Sequence, residues 1–383
     1  MKRSYVAKRF QGCGSGLSLD TEALAKYDDI IDLSIGDTDF VTDEAIIDAA
    51  FRDARLGHTH YGDPHGDREL IEAVCQAWQE DFTQPLSPDH VLITASSCLG
   101  MALAMLAILD AGDEVIVFSP YFPMYRSQIE LAGGVCVDVP TYAAENYAID
   151  EARLRAAVTP KTKAIIFNNP TNPTGMAYGR DTLELLAKIA REYDLLVAAD
   201  EIYTTYLYEG DYVPLRTLDG MAERTITLNS FSKNYMMTGW RVGATIAEPE
   251  LLAAMHHVNG SLIYSAPSVS QRAAIEALRI RGSIREKYIS AYRDRIFYSA
   301  DRLSAIPYLS LVRPKGTFYL FPGIEKTGLS APEFCRQLLE RAHVLVSSGD
   351  PFGKTGKNHF RIACTVDTQK LKAAYDRMEQ LRF

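Results

Sequence analysis

Strand-like and helix-like segments alternate through the middle of the chain, and this alternation restricts the fold more than any other feature. Short apolar runs that predict strands lie at 90–93, 114–118, 135–139, 164–167, 195–199 and 225–228. Apolar residues at helical spacing lie between most of these runs, at 99–109, 125–132, 150–157 and 182–192. Repeated strand–helix units predict an α/β fold with a mostly parallel central sheet and helices on both of its faces.

The chain is long enough for two domains, at 383 residues. After about residue 281 the pattern changes to that of an α+β domain. Amphipathic helices are predicted there at roughly 283–304, 331–341 and 367–380, and short strands at 317–321, 343–346 and 359–363. We therefore predict a large domain over 42–280. A smaller domain would combine residues 1–41, which begin with an irregular polar arm, with residues 281–383.

The segment before the first helix is also informative. A short apolar run at 30–35 ends at Gly36, and Thr42 is predicted to cap a helix that stops at Gly57. The stretch 60–66 contains glycines and a proline, which predict a loop.

Composition excludes several functional classes. The formal net charge of −9 argues against binding to nucleic acid, because the phosphate backbone requires a basic face. No window approaches 18 unbroken apolar residues, so no membrane span is predicted. The six cysteines are widely spaced and include no CxxC pair, which favours core residues in a reducing compartment over disulfides or a zinc site. A cytoplasmic protein is therefore expected.

Polar and aromatic residues follow the predicted strands at the places where those strands end. In such sheets, ligands bind at the carboxyl ends of the strands. The residues that fall there are Ser96, Ser97, Cys98, Phe122, Asn172, Asp200, Tyr203, Ser230 and Lys233. A lysine, a carboxylate, an amide and aromatic rings at one edge predict a site for a small molecule.

Lys233 is predicted in a loop of small hydroxylic residues just after the run at 225–228. A deprotonated lysine amine condenses with an aldehyde to give a Schiff base, and the aldehyde cofactor used most is pyridoxal 5′-phosphate (PLP). Ser230, Ser232 and Arg241 would supply its phosphate site. The alternative is a solvated lysine near an arginine that forms a structural ion pair.

Other candidates at this edge also have a structural alternative. Ser96, Ser97 and Cys98 would offer backbone amides at a helix N-terminus to an anion, or would simply cap that helix. Phe122 would stack on a flat ring, or pack in the core. Asp200 would face a protonated ring nitrogen, or cap the next segment.

Three further residues complete the predicted site. Asn172 lies between two prolines and would hydrogen-bond a phenolic oxygen, or serve as a turn residue. Tyr203 would donate to the same oxygen. Arg361 alternates with apolar residues in a predicted strand, and would clamp a substrate carboxylate bidentately or lie at the surface.

Three motifs together resemble the class I aminotransferases, a PLP-dependent family of fold type I. They are NNPTNPTG at 168–175, ADEIY at 199–203, and SFSK followed by GWRVG at 230–243. The resemblance extends over essentially the whole chain. It implies an enzyme that transfers an amino group from an L-amino acid to a 2-oxo acid by a ping-pong mechanism.

The resemblance also implies a role for each cofactor contact. Lys233 would carry PLP as a Schiff base and move a proton between the substrate Cα and the cofactor C4′. Asp200 would pair with the pyridinium nitrogen, and Asn172 and Tyr203 would hold the phenolic oxygen. Phe122 would be the stacking aromatic. The implied phosphate ligands are Ser96, Ser97, Cys98, Ser230 and Arg241.

The substrate would be held by the other matching positions. Gly36, through its backbone, and Arg361 would bind the substrate carboxylate, next to Asn172. Tyr61 matches a tyrosine that reaches the phosphate of the neighbouring subunit, which implies a homodimer with shared active sites. No metal is implied.

The motifs leave the reaction and substrate open. Some aspartate-using relatives have a lysine where Cys98 stands, so aspartate is doubtful, and Ile35 and Tyr264 would suit an aromatic or aliphatic side chain. A PLP-dependent C–S lyase acting by β-elimination would use the same cofactor site. A ligand-sensing regulator would need a DNA-binding module, for which the roughly 30 residues before the first strand are too few, and no dinucleotide fingerprint follows any strand.

Overall fold

The computed structural model describes residues 5–7, 10–11 and 26–383. Most of the predicted N-terminal arm, including Cys13, lies outside these residues. The strands are β1 (Ile31–Asp32), β2 (Val91–Thr94), β3 (Glu114–Ser119), β4 (Val135–Pro140), β5 (Thr162–Asn168), β6 (Leu196–Asp200), β7 (Thr225–Ser230), β8 (Gly243–Ile246), β9 (Tyr319–Leu320), β10 (Val344–Leu345), β11 (Ser347–Ser348) and β12 (Phe360–Ala363). The α-helices are α1 (Glu44–Arg55), α2 (Arg68–Phe82), α3 (Ser97–Ile108), α4 (Met124–Leu131), α5 (Glu151–Ala157), α6 (Arg180–Glu192), α7 (Phe231–Asn234), α8 (Pro249–Leu262), α9 (Ser268–Arg279), α10 (Arg281–Ile284), α11 (Ser290–Ser304), α12 (Ala331–Ala342) and α13 (Thr368–Glu379).

The central sheet has seven strands in the order β2-β8-β7-β6-β5-β3-β4. Strand β8 runs antiparallel to both of its neighbours, and the remaining adjacent pairs are parallel. The predicted fold class, a mostly parallel sheet in an α/β chain, is confirmed.

Helices cover both faces of this sheet because successive strand residues point to opposite sides. Val115 and Val117 of β3 belong to a core that includes residues of α3 and α8. Ile116 and Phe118 of the same strand belong to another core, which includes residues of α6. The fully apolar strand segments are therefore buried from both directions.

The C-terminal segment forms smaller sheets with the N-terminal stretch. Strand β1 pairs in parallel with β10, so that Ile31 lies opposite Val344. Strand β12 pairs antiparallel with both β9 and β11. Helices α11, α12 and α13 share one apolar core with β1, β9, β10 and β12. The domain boundaries at residues 42 and 281 stay a prediction.

The structure corrects several local predictions. Asp43, not Thr42, caps α1 by accepting a hydrogen bond from the Ala45 amide. The Thr42 hydroxyl instead donates to the Met236 carbonyl and accepts from the Trp240 indole, so a tertiary contact decides between two adjacent cap-forming residues.

Other corrections concern the extent of elements. Lys233 lies in the short helix α7 and not in a loop. The apolar run at 30–35 contains a strand of two residues, β1. The single helix predicted at 283–304 is interrupted by a π-helical turn, Arg285–Ile289.

Within the described residues, no helix is both long and apolar enough to cross a membrane.

Candidate active site

A cavity of about 980 Å³ lies beyond the carboxyl ends of the central strands. The predicted site residues that line it are Gly36, Ser96, Ser97, Cys98, Phe122, Asn172, Asp200, Tyr203, Ser230, Ser232, Lys233, Arg241 and Arg361. Tyr61 does not line it, and neither does Tyr264, which was expected to suit the substrate side chain, whereas Ile35 does. The cavity therefore unites residues that are widely separated in the sequence, from Gly36 to Arg361.

Lys233 reaches the cavity from α7, which begins directly after β7. Its Nζ donates a hydrogen bond to the Gly36 carbonyl oxygen. The pKa of the Lys233 ammonium is lowered to about 8, mainly by burial; the negative charge of Asp37 opposes this fall, and the positive charges of Arg361 and Arg241 contribute to it. A large fraction of this amine is consequently neutral near pH 8, and a neutral amine is a nucleophile and a base.

Asp200 is the last residue of β6 and is 7% exposed. Its Oδ2 accepts a hydrogen bond from the Tyr125 hydroxyl, whereas its Oδ1 is buried without a hydrogen-bond partner. Burial raises the pKa of Asp200 to about 6, against smaller opposing effects of Tyr125 and the Ile202 amide. A cationic group beside Oδ1 would keep this carboxylate ionised.

The N-terminus of α3 forms another part of the wall. The Ser96 hydroxyl accepts a hydrogen bond from the Leu99 amide at 3.1 Å and so caps the helix. Burial raises the pKa of the Cys98 thiol, which therefore stays neutral. A Cβ on Gly243 would lie 2.8 Å from the Ser97 nitrogen, so a glycine is required where β8 passes this helix start.

Arg241 lies on the loop between α7 and β8. Its φ is 55°, which places it in the left-handed region, and its Nη1 donates to the Thr238 carbonyl at 2.8 Å. The Ser230 hydroxyl accepts from the Ser232 amide at 3.1 Å. Together with the start of α3, these residues give the cavity a corner with hydroxyl groups, backbone amides and one guanidinium.

Arg361 enters from β12 and is 5% exposed. Its Nη2 donates to the Ser34 carbonyl at 2.6 Å and its Nη1 to Asn172 Oδ1 at 3.2 Å. The guanidinium carbon lies 4.7 Å and 5.1 Å from the ring centres of Tyr319 and Phe352. Its Nε is buried without a hydrogen-bond partner, so the side chain retains a donor for an anion.

Tyr203, which follows β6, contacts Tyr319 of β9 in the cavity wall. Its hydroxyl donates to the Tyr319 hydroxyl at 3.3 Å, and burial raises the pKa of both phenols. Gly36 passes so close to Tyr319 that a Cβ at this position would collide with the phenol oxygen. Glycine is thus required for the segment that offers its carbonyl to Lys233.

Tyr61 lies on the protein surface and is 87% exposed. Its ring packs edge-on against Tyr264 with centroids 5.5 Å apart. Tyr264 is also exposed, and exposed apolar side chains that lie together are typical of interfaces.

Sequence reasoning missed two tyrosines that line the cavity, Tyr125 and Tyr319. Tyr125 lies three residues beyond Phe122, in the first turn of α4, and Tyr319 lies in β9. Both positions look like ordinary core aromatics in the sequence. The hydroxyl of Tyr125 bonds to a residue 75 positions away in the sequence, and the hydroxyl of Tyr319 to one 116 positions away, so no local pattern indicates these contacts.

Known proteins match this chain over nearly its whole length. The family described as aminotransferase class I and II matches residues 28–378. An aspartate aminotransferase of Pyrococcus abyssi is 38% identical, and the match covers 92% of each sequence. An arginine–pyruvate transaminase of Pseudomonas aeruginosa is 33% identical, over 99% of this chain and 97% of the relative.

A solved structure agrees with these relatives. The aromatic aminotransferase from Pyrococcus horikoshii superposes with a TM-score of 0.90 at 34% identity, covering 94% of this chain and 97% of its own. The prediction of a transaminase is confirmed, and the lyase alternative gains no support from these relatives. The chain belongs to the class I and II aminotransferase family and has the fold type I architecture.

Proposed function

We propose that the cavity binds PLP and that the chain moves an amino group from an L-amino acid to a 2-oxo acid in two successive half-reactions. The observation that carries this proposal is the buried, unpartnered Oδ1 of Asp200 in a cavity that also exposes the Lys233 amine. When bound, PLP supplies an electron-withdrawing ring that stabilises negative charge at the substrate Cα.

The residues present fit this cofactor. The unpartnered carboxylate oxygen of Asp200 matches a protonated ring nitrogen, and Phe122 offers an aromatic face to the ring. The start of α3 and Arg241 suit a phosphate, since helix N-termini and guanidinium groups both bind anions. Ser230 and Ser232 add hydroxyl groups at the same corner, and Asn172 and Tyr203 would hold the phenolic oxygen.

Lys233 would hold the cofactor and then transfer a proton at the substrate Cα. Both roles need a neutral amine, and the lowered pKa of about 8 makes a large fraction of the amine neutral near pH 8. The Gly36 carbonyl, which accepts a hydrogen bond from this amine, would direct it toward the reacting atoms.

Arg361 would bind the α-carboxylate of the amino acid and of the oxo acid. Its Nε is unpartnered, and its other nitrogens bond to neutral oxygens that a carboxylate can outcompete. Asn172, already within 3.2 Å of Nη1, would orient the guanidinium, and the Gly36 backbone would form the opposite wall.

The cavity favours a substrate whose side chain is neutral. Among the described lining residues the cations are Lys233, Arg241 and Arg361, and Asp200 is the one carboxylate. Each of these charged groups is already assigned to the cofactor or to the α-carboxylate of the substrate. A charge on the substrate side chain would therefore be buried without an opposite charge, which is costly. The part of the lining beyond the catalytic groups is largely apolar: Ile35, Met124, Pro332, Cys335, Leu345 and Val346.

We also propose a homodimer in which Tyr61 enters the partner's site. Support comes from large apolar side chains that are exposed in the segments before Tyr61 and around its ring partner Tyr264: Phe51, Leu56, Leu262, Ile263 and Tyr264 itself. Mixing Lys233→Ala and Tyr61→Ala subunits should restore roughly a quarter of wild-type activity, because half of the dimers are hybrids with one intact site. No recovery would contradict a shared site. The cytoplasmic location stays a prediction.

The proposed reaction is tested by absorbance of the purified protein with PLP. A visible band should form and should bleach when phenylalanine, methionine or leucine is added, but much more slowly with aspartate or arginine. Lys233→Ala should lack the band, whereas Lys163→Ala, which changes a lysine with a half-exposed side chain, should retain it. An unchanged band and activity in Lys233→Ala would refute the proposal. Faster bleaching by aspartate or arginine would refute the substrate class alone.

A further inference from the structure

Tyr125 makes a contact that the proposed chemistry does not yet use. It is 3% exposed, and its hydroxyl donates to Oδ2 of Asp200. This bond occupies one carboxylate oxygen and leaves Oδ1 as the oxygen without a partner. The tyrosine therefore determines which oxygen of Asp200 is available to a ligand.

The ring of Tyr125 makes a second relevant contact. It packs edge-on against Phe122, with centroids 5.7 Å apart and an interplanar angle of 78°. Phe122 lines the cavity and is the proposed stacking partner of the cofactor ring. One side chain thus touches both residues that would contact the edge and the face of the same ring.

The partly buried Tyr308 donates to the Met378 carbonyl at 2.6 Å, and the fully buried Tyr206 also donates to a main-chain carbonyl, that of Lys233, at 2.8 Å. Tyr125 instead bonds to a buried carboxylate. Burial raises the pKa of Asp200 to about 6, and the Tyr125 hydrogen bond is the largest influence that opposes this rise. Hydrogen bonds to charged groups are among the stronger ones in proteins.

We propose that Tyr125 is a positioning residue that turns Oδ1 of Asp200 toward the ring nitrogen of bound PLP and sets Phe122 against the ring. This inference rests on the proposed function. Tyr125 acts through Asp200, so removing its hydroxyl should matter only while position 200 carries a carboxylate.

A double-mutant cycle with cofactor affinity as its readout tests this inference. Apoproteins with Tyr125→Phe, Asp200→Asn and both changes would be titrated with PLP by equilibrium dialysis at pH 8 and pH 6. Tyr308→Phe is the matched control, because it also removes a hydrogen-bonded phenol hydroxyl. Far-UV circular dichroism would verify that each variant is folded.

Tyr125→Phe should raise the Kd for PLP about tenfold at pH 8, the scale of one hydrogen bond to a charged group. The increase should be larger at pH 6, because Asp200 then loses its charge more easily. In the Asp200→Asn protein the same change should alter the Kd less than twofold, and Tyr308→Phe should have no effect. An equal effect of Tyr125→Phe with and without the carboxylate, or no effect in either, would overturn the inference. A wild-type protein that does not bind PLP would instead overturn the proposed function, and the inference with it.

Discussion

Replacing Asp200 by asparagine should stabilise the protein without cofactor while weakening its affinity for PLP. The pKa of Asp200 rises from the model-compound value of 3.8 to about 6 on burial. A carboxyl group with a raised folded-state pKa destabilises the fold while it is ionised, and this cost disappears as the pH falls through about 6 toward 4. This difference in pKa between the folded and unfolded protein corresponds to about 3 kcal/mol at pH 8 and to less than about 1 kcal/mol at pH 4.

The assay is urea unfolding of the two apoproteins, followed by circular dichroism at pH 8 and pH 4. The urea midpoint of Asp200→Asn should exceed that of the wild type at pH 8, and the difference should nearly vanish at pH 4.

Asp53→Asn is a control for which the opposite change in stability is expected. Burial alone would raise the pKa of Asp53, but Arg272, whose Nε lies 2.7 Å from Oδ2, outweighs it and the net pKa is lowered. Asp53→Asn should therefore destabilise the protein at pH 8. A lower midpoint for Asp200→Asn at pH 8 would refute the reasoning, as would a gain that does not change with pH.

The remaining predictions concern the same cavity. Acylation of Lys233 in the apoprotein should rise with a midpoint near pH 8, as measured by peptide mass spectrometry, and a midpoint above pH 10 would contradict its burial. Arg361→Lys should lower kcat/KM for amino acid and oxo acid by roughly 10–100-fold, because an ammonium cannot replace the planar fork, and an unchanged kcat/KM would exclude the carboxylate role. Gly36→Ala should lower the unfolding midpoint because its Cβ would collide with Tyr319, and Tyr319→Leu in the same chain should recover part of the loss. If no recovery follows, the collision is not the cause.

Six of the seven strands of the central sheet were predictable because they carry local signals, whereas β8 (Gly243–Ile246) was not predicted. Strands such as β3 and β5 are short apolar runs, and burial on both faces makes that pattern continuous. Strand β11 consists of Ser347 and Ser348, which have no strand signal, and it forms by pairing with β12. The two-residue strand β1 likewise depends on its pairing with β10, so the apolar run at 30–35 could not define its length.

The site residues that belong to local sequence motifs could be predicted. The site residues whose role depends on a contact with a residue far away in the sequence could not. Lys233, Asp200 and Arg361 lie in recognisable patterns beside strand ends. Tyr125 and Tyr319 act through hydroxyl contacts with distant partners, and no local pattern distinguishes them from core aromatics. The prediction that Thr42 caps α1 was wrong for the same reason, since the Thr42 hydroxyl donates to the distant Met236 carbonyl instead.

The two cations to which we assign roles in the reaction, Arg361 and Lys233, are linked by one short segment. Arg361 donates to the Ser34 carbonyl and Lys233 donates to the Gly36 carbonyl, two residues further along. A substrate carboxylate on Arg361 would compete with the Ser34 carbonyl and neutralise a positive charge that lowers the pKa of Lys233. The lysine pKa would then rise, so the amine becomes a stronger base when the substrate is in place. Binding of the α-carboxylate and proton removal from Cα would therefore be coupled, because the charge of Arg361 acts on the pKa of Lys233 and both side chains donate to carbonyl groups of the same short segment.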